Sequence, residues 1–119
     1  MKISKFFVKE NNSIIHKEFQ WDSETSPVSK EQFLTAEEII NDLLTQRLNA
    51  ENTKILIEMT EDNLIMLHHG FGTWIRNNYG LWLENNPYVD KHPDDYCFDI
   101  IKELHSRLQN TITVIDDTP

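Results

Sequence analysis

From Ser29 onward the apolar residues settle into a helical period. Phe33, Ile39, Ile40, Leu43, Leu44 and Leu48 recur at three- and four-residue spacing. Leu64, Leu67, Phe71, Trp74 and Ile75 repeat the pattern, and Phe98, Ile101, Leu104, His105 and Leu108 repeat it again. Stripes of this kind mark one buried face of a helix, so the chain is restricted to folds in which helices cover one another's apolar sides. Local signals set the ends. Thr35 with Glu38 three residues on has the form of a capping box and opens a helix over about 36–49. Thr60, followed by Glu61 and Asp62 where the helix dipole favours anions, opens one running to about Asn78, with Gly80 placed for a left-handed stop. His92-Pro93-Asp94-Asp95 opens the last, with Pro at the first helical position and an end near Asn110. Residues 52–58 fit a short helix capped by Asn52 or Thr53, or a buried strand through Ile55-Leu56-Ile57; the helix is preferred. Leu81 to Lys91, with Asn85-Asn86-Pro87 inside it, is a connection.

The first twenty residues differ. Ile3, Phe6, Phe7 and Val8, then Ile14-Ile15-His16-Lys17-Glu18-Phe19-Gln20-Trp21, place β-branched and aromatic residues on either side of Glu10-Asn11-Asn12-Ser13. That is hairpin chemistry over residues 2–21. Asp22 to Ser29 is a polar loop, and Ile112-Thr113-Val114-Ile115 reads as a short terminal strand that could join the hairpin. The expected fold is α+β and mainly helical: three to four helices, an N-terminal β-hairpin and a short C-terminal strand. The 119 residues are expected to form one domain, residues 1–119, with a helical module over about 36–110.

Charge narrows the function classes. The net charge is −9, and it is uneven: residues 1–30 carry +1 and residues 31–119 carry −10. Such a surface repels phosphates, so nucleic-acid binding is disfavoured and a basic protein partner is favoured. No apolar run approaches the ~18 residues that cross a bilayer, so no membrane partner is expected. The single cysteine, Cys97, excludes an internal disulfide framework and fits a cytoplasmic chain. Homo-oligomerisation is left open. Alanine occurs only twice against thirteen Ile and eleven Asn, so tertiary packing rather than intrinsic propensity must hold the helices.

One stretch stands out. Beside the apolar stripe of residues 60–78 runs a second row, His68, Gly72 and Arg76, leading to Gly80. Residues four apart on a helix lie one above another, so Gly72 leaves a notch between an imidazole and a guanidinium. Glycine inside a helix costs about 0.5–1 kcal/mol against alanine, and Gly70 makes two in three positions. The packing explanation is close approach of another element, with Arg76 paired to Asp94 or Asp95. The alternative is a small-anion pocket, ligand-binding or enzymatic, built on His68, Gly72, Arg76 and Asn77 with Trp74 and Trp82 as walls.

The residues His68, Gly72, Ile75, Arg76, Asn77, Leu81 and Trp82, followed by His92-Pro93-Asp94-Asp95, carry a resemblance. They resemble an uncharacterised family of small bacterial and phage proteins with the pattern H-x-x-x-G-x-x-I-R-N-x-x-x-L-W. The resemblance spans about residues 59–108. It implies a compact helical module and emphasis on the same row of residues, and it brings no activity with it.

Other chemistry finds little support. His68 and His69 are adjacent, so on a helix they diverge by about 100° and cannot readily chelate one metal; no metal or cofactor is expected. Gly70-x-Gly72 inside a helix is not a dinucleotide fingerprint. Cys97 fits a buried structural residue, and the acid pairs Glu37-Glu38, Glu61-Asp62 and Asp94-Asp95 fall in first helical turns. Phe6, Phe7, Phe19 and Trp21 in a Lys-punctuated hairpin suit either an interaction edge or a guarded one. The leading expectation is a small acidic cytoplasmic interaction protein, without enzymatic activity, that binds and inhibits or modulates a protein partner. Phage–bacterium or toxin–immunity conflict is the setting in which inhibitors of this size and charge operate.

Overall fold

The computed structural model describes residues 2–10, 13–21 and 33–116. Strands β1 (Lys2–Glu10) and β2 (Ser13–Trp21) pair antiparallel, from Lys2 opposite Trp21 to Glu10 opposite Ser13. The expected turn at Asn11-Asn12 and the polar loop at 22–29 lie outside the described residues. After them come α1 (Ala36–Asp42), a π-helical turn (Leu43–Arg47), α2 (Ala50–Glu58), a 3-10 helix (Glu61–Leu67), α3 (Phe71–Asn78) and α4 (Pro93–Asp116). The molecule is mainly helical, with two N-terminal strands. The described residues hold five helical segments, taking α1 and the π turn as one, which exceeds the expected three to four.

Side chains on a strand alternate between faces, and β2 uses this. Phe19 and Trp21 are fully buried while Ile14, of opposite parity, is 76% exposed. The two rings lie against Phe71 of α3, with centroids 4.9 and 5.1 Å away, and Trp21 meets Trp74 at 6.3 Å. Burying a ring the size of Phe contributes about 2–3 kcal/mol. These two aromatics are therefore a core layer, which the sequence leaves open against an interaction edge or a guarded one.

Helix ends follow local chemistry. Thr35 and Glu38 exchange side chain and backbone hydrogen bonds at 3.2 and 2.9 Å, the capping box expected for α1. The cap of α2 is Asn49 rather than the expected Asn52 or Thr53; it and Asn52 bond reciprocally at 2.9 and 3.3 Å. Gly80 takes φ +67°, and the Leu81 amide donates to the Arg76 carbonyl at 3.0 Å, which satisfies an orphan carbonyl at the end of α3. At α4, His92 Nδ1 accepts the Asp94 amide at 3.1 Å, just before Pro93.

Two expectations are overturned. Residues 112–115 are not a strand, because α4 continues through them to Asp116. A running helix gains one backbone hydrogen bond for each residue added, whereas a lone strand must first find an edge. Nor is the stretch from Thr60 to Asn78 one helix. It winds as 3-10 over Glu61–Leu67, turns through 68–70 and restarts as α3. Gly70 loses the most backbone entropy if kept helical, and it sits where the winding breaks. In a 3-10 helix residues i and i+3 eclipse, which sends both Leu64 and Leu67 into the core. The side chain of Thr60 makes no capping bond.

The core gathers Ile39, Ile40 and Leu43, Leu56, Leu64 and Leu67, the aromatic layer, and Cys97, Ile100, Ile101 and Leu104 of α4. His105 belongs to it as well: its Nε2–H donates to the Met59 carbonyl at 2.7 Å and ties α4 to the end of α2.

Candidate functional site

His68, Gly72 and Arg76 do meet, although not as a straight helical row. Gly72 and Arg76 are one turn apart on α3; His68 lies in the turn before it. Arg76 folds back across Gly72. Its Nη2 donates to the His68 carbonyl at 3.2 Å and to Thr73 Oγ1 at 3.0 Å, and Nη1 lies 3.4 Å from His68 Nδ1. An arginine can only donate, so Nδ1 is the acceptor and the His68 ring carries its proton on Nε2. A Cβ on residue 72 would sit 3.0 Å from Nη1 and 3.3 Å from the Leu67 carbonyl oxygen. The notch left by Gly72 is therefore occupied by the guanidinium.

Asp94 completes the arrangement. Its Oδ1 is 3.3 Å from Arg76 Nε, the partnership that the start of α4 suggested. Arg76 is 5% exposed, and a charge so placed persists only when paired. Cys97 lies behind, its thiol donating to the Gly72 carbonyl at 3.4 Å. Burial pushes this thiol up to about 12, against a smaller opposing effect of Arg76. It stays protonated at neutral pH and is no nucleophile.

The remaining candidates divide. Trp82 joins the cluster: the Arg76 guanidinium carbon is 5.8 Å from its ring centroid, and His92 meets the indole edge-on at 5.9 Å. Trp82 is nevertheless 49% exposed. Asn77 is exposed and lies outside the cluster. Trp74 belongs to a second buried polar group. Arg47 stands over its ring at 5.4 Å, Tyr79 touches it edge-on, and the Tyr79 hydroxyl donates to Asp42 Oδ2 at 2.5 Å. Asp42 also lies 3.6 Å from Arg47. Burial, then the hydrogen bond to Asp42, raises the Tyr79 phenol far above its ordinary range, so it too is inert as an acid at neutral pH.

The sequence reading missed this second group because Asp42 and Arg47 are five apart, a spacing that does not pair on an α-helix. The π-helical turn from Leu43 to Arg47 makes i and i+5 neighbours. It also missed Asn86, which is buried within the connection between α3 and α4. Asn86 Nδ2 donates to the Gly80 carbonyl at 3.2 Å and Oδ1 accepts the Tyr88 amide at 3.0 Å. The only hint was an Asn-Pro pair, a common turn former. That amide braces a segment on which Trp82, Leu83 and Tyr88 are all exposed.

A family model, the domain of unknown function DUF6794, matches residues 35–108. The chain belongs to this family. The match begins at the capping residue of α1 and ends on α4, so both buried polar groups and the braced connection lie inside the DUF6794 domain, whereas β1 and β2 precede it. No curated protein and no solved structure matches the chain. Among the described residues of this DUF6794 chain, no group of three or more His, Cys, Asp and Glu could hold a metal ion. None of its described helices is long and apolar enough to cross a membrane.

Proposed function

We propose that this chain is a small acidic interaction protein that binds a basic protein partner in the cytoplasm and inhibits or modulates it, in the manner of phage–bacterium or toxin–immunity conflict. The observation that carries the reading is Trp82. A half-exposed indole, backed by the Arg76 guanidinium and the His92 ring on a connection held by Asn86, is an aromatic anchor fixed before any partner arrives. Tryptophan dominates interface energetics out of proportion to its frequency, and pre-organisation lowers the cost of ordering it. Leu83 and Tyr88 extend the apolar surface, and Glu84 and Asp90 stand exposed in the same segment. A net charge of −9 adds steering toward a cationic surface. On this reading the row His68, Gly72, Arg76 serves to hold Trp82 in place, and the H-x-x-x-G-x-x-I-R-N-x-x-x-L-W pattern is the family's signature in bacterial and phage proteins.

The test is capture from the source cell with the tagged chain and with its Trp82→Ala variant, followed by calorimetry on whatever is recovered. The expected result is a stoichiometric basic protein bound with at least tenfold lower affinity by the variant, which keeps the fold because Trp82 faces solvent. Affinity should also fall as salt rises. Recovery of no stoichiometric protein, or equal affinity of the variant, overturns the proposal.

A further inference from the structure

A groove of about 310 Å³ runs between α1 and α4. Its apolar lining comes from Ala36 and Ile40 on α1 and from Tyr96 and Ile100 on α4. Ile40 and Ile100 are buried beneath it. Carboxylates and cations share its rim, and almost all of them are already engaged. Arg107 forks onto both oxygens of Glu37 and also reaches Glu103, while Asp99 is held by Lys91 at 2.8 Å and by Lys102 at 3.5 Å. Asp90 is the exception: it is exposed and forms no ion pair among the described residues. The rim therefore carries four carboxylates against two cations, Lys91 and Arg107, with the unspent charge at Asp90. Tyr96 stands close by, its phenol raised by burial and then by the negative charge of Asp90.

An apolar trough lined by a carboxylate without an ion pair and by an aromatic ring suits one kind of group. A long cationic side chain buries its methylene stem and keeps its charged head at the surface, and a ring face adds attraction for that head. A second copy of this chain is a poor occupant, since each copy brings a further −9. We propose that the groove receives a lysine or arginine side chain of the basic protein partner, its stem over Ile40 and Ile100 and its head at Asp90. The proposal rests on the reading of the chain as an acidic interaction protein and gives that partner a second point of attachment, distinct from Trp82.

The experiment is a two-dimensional ¹H–¹⁵N NMR titration of the whole chain with blocked Gly-Lys-Gly and Gly-Arg-Gly peptides. Gly-norleucine-Gly serves as the uncharged control and n-butylammonium as a free amine. Either cationic peptide should shift the amides of Ala36, Ile40, Tyr96 and Ile100 saturably, and norleucine should not. Asp90→Asn should weaken the cationic peptides at least fivefold while leaving the rest of the spectrum in place. Absence of saturable shifts in the groove, equal shifts with norleucine, or full affinity in Asp90→Asn overturns the proposal. Butylammonium, which carries the same stem and head as the lysine side chain, should shift the same amides; a lysine peptide that binds where butylammonium does not overturns the proposal, by placing recognition on the peptide backbone. A partner captured through Trp82 but indifferent to Asp90→Asn removes the groove from the interface and leaves the proposed function standing. Peptides bound in the groove with no partner captured remove the proposed function and, with it, the source of side chain named here.

Discussion

Arg76 concentrates the energetics of the molecule at one side chain. Its charge is buried against Asp94, Thr73 and the His68 carbonyl, yet the Asp94 side chain is 38% exposed and can be rehydrated. Arg76→Met keeps most of the stem and removes the charge, so the expected cost is about 1–3 kcal/mol, below that of breaking a fully buried pair. Gly72→Ala gains about 1 kcal/mol of helix preference but puts a methyl 3.0 Å from Nη1 and 3.3 Å from backbone oxygen. The displaced guanidinium decides the sign, and a net loss is expected. The double variant should lose less than the two single losses combined, because once the arginine is gone the methyl has one clash fewer. Urea denaturation of the three variants measures this. The pairing of Arg76 with Asp94 was legible because acids opening one helix attract a cation on its neighbour. The path of the side chain back across Gly72 was not, since it depends on the turn at 68–70.

At the level of elements, the apolar stripes were enough to place the helical segments around Ile39, Leu64 to Ile75 and Ile101, whereas α2, which brings Leu56 to the core, fits either a short helix or a buried strand on spacing alone. Leu64, Leu67, Phe71, Trp74 and Ile75 are all buried as their spacing required. What the spacing hid was the change of winding: a 3-10 helix, a break and an α-helix leave the same five residues inside as one continuous helix would. Periodicity reports which side faces the core and is nearly blind to small changes in residues per turn. The π-helical turn escaped for the same reason, and with it the Asp42–Arg47–Tyr79 group. The stop at Gly80 was legible, since a left-handed residue after a helix calls for glycine. Gly80→Ala places a side chain at φ +67° with its Cβ 2.9 Å from the Phe33 ring. A non-glycine residue there costs about 1–2 kcal/mol before the clash is counted. The expected outcome is a melting temperature lower by roughly 5–15 °C, measured by circular dichroism.

For the molecule as a whole, buried titratable groups set the alkaline limit. The Cys97 thiol is raised from 9.0 to about 12, and the Tyr79 phenol is raised above 10.0. Between its unfolded and folded values each group binds more protons when folded, so stability is fully present below pH 9 and declines as pH rises. Cys97→Ala should move the onset of this decline from about pH 9 to about pH 10, read from unfolding midpoints across the range. The acid side runs the other way. Arg107 lowers Glu37 and Lys91 lowers Asp99, so their contributions hold above pH 4.5 and are lost as pH falls through the lowered values. The connection that carries Trp82 has a further property. Asparagine amides age when the next backbone nitrogen attacks the side chain and expels ammonia. The residue after Asn86 is Pro87, whose nitrogen bears no hydrogen. The Asn86 amide that braces this exposed segment is shielded from the ordinary route of spontaneous deamidation, so the brace can outlast the exposed Asn85 beside it.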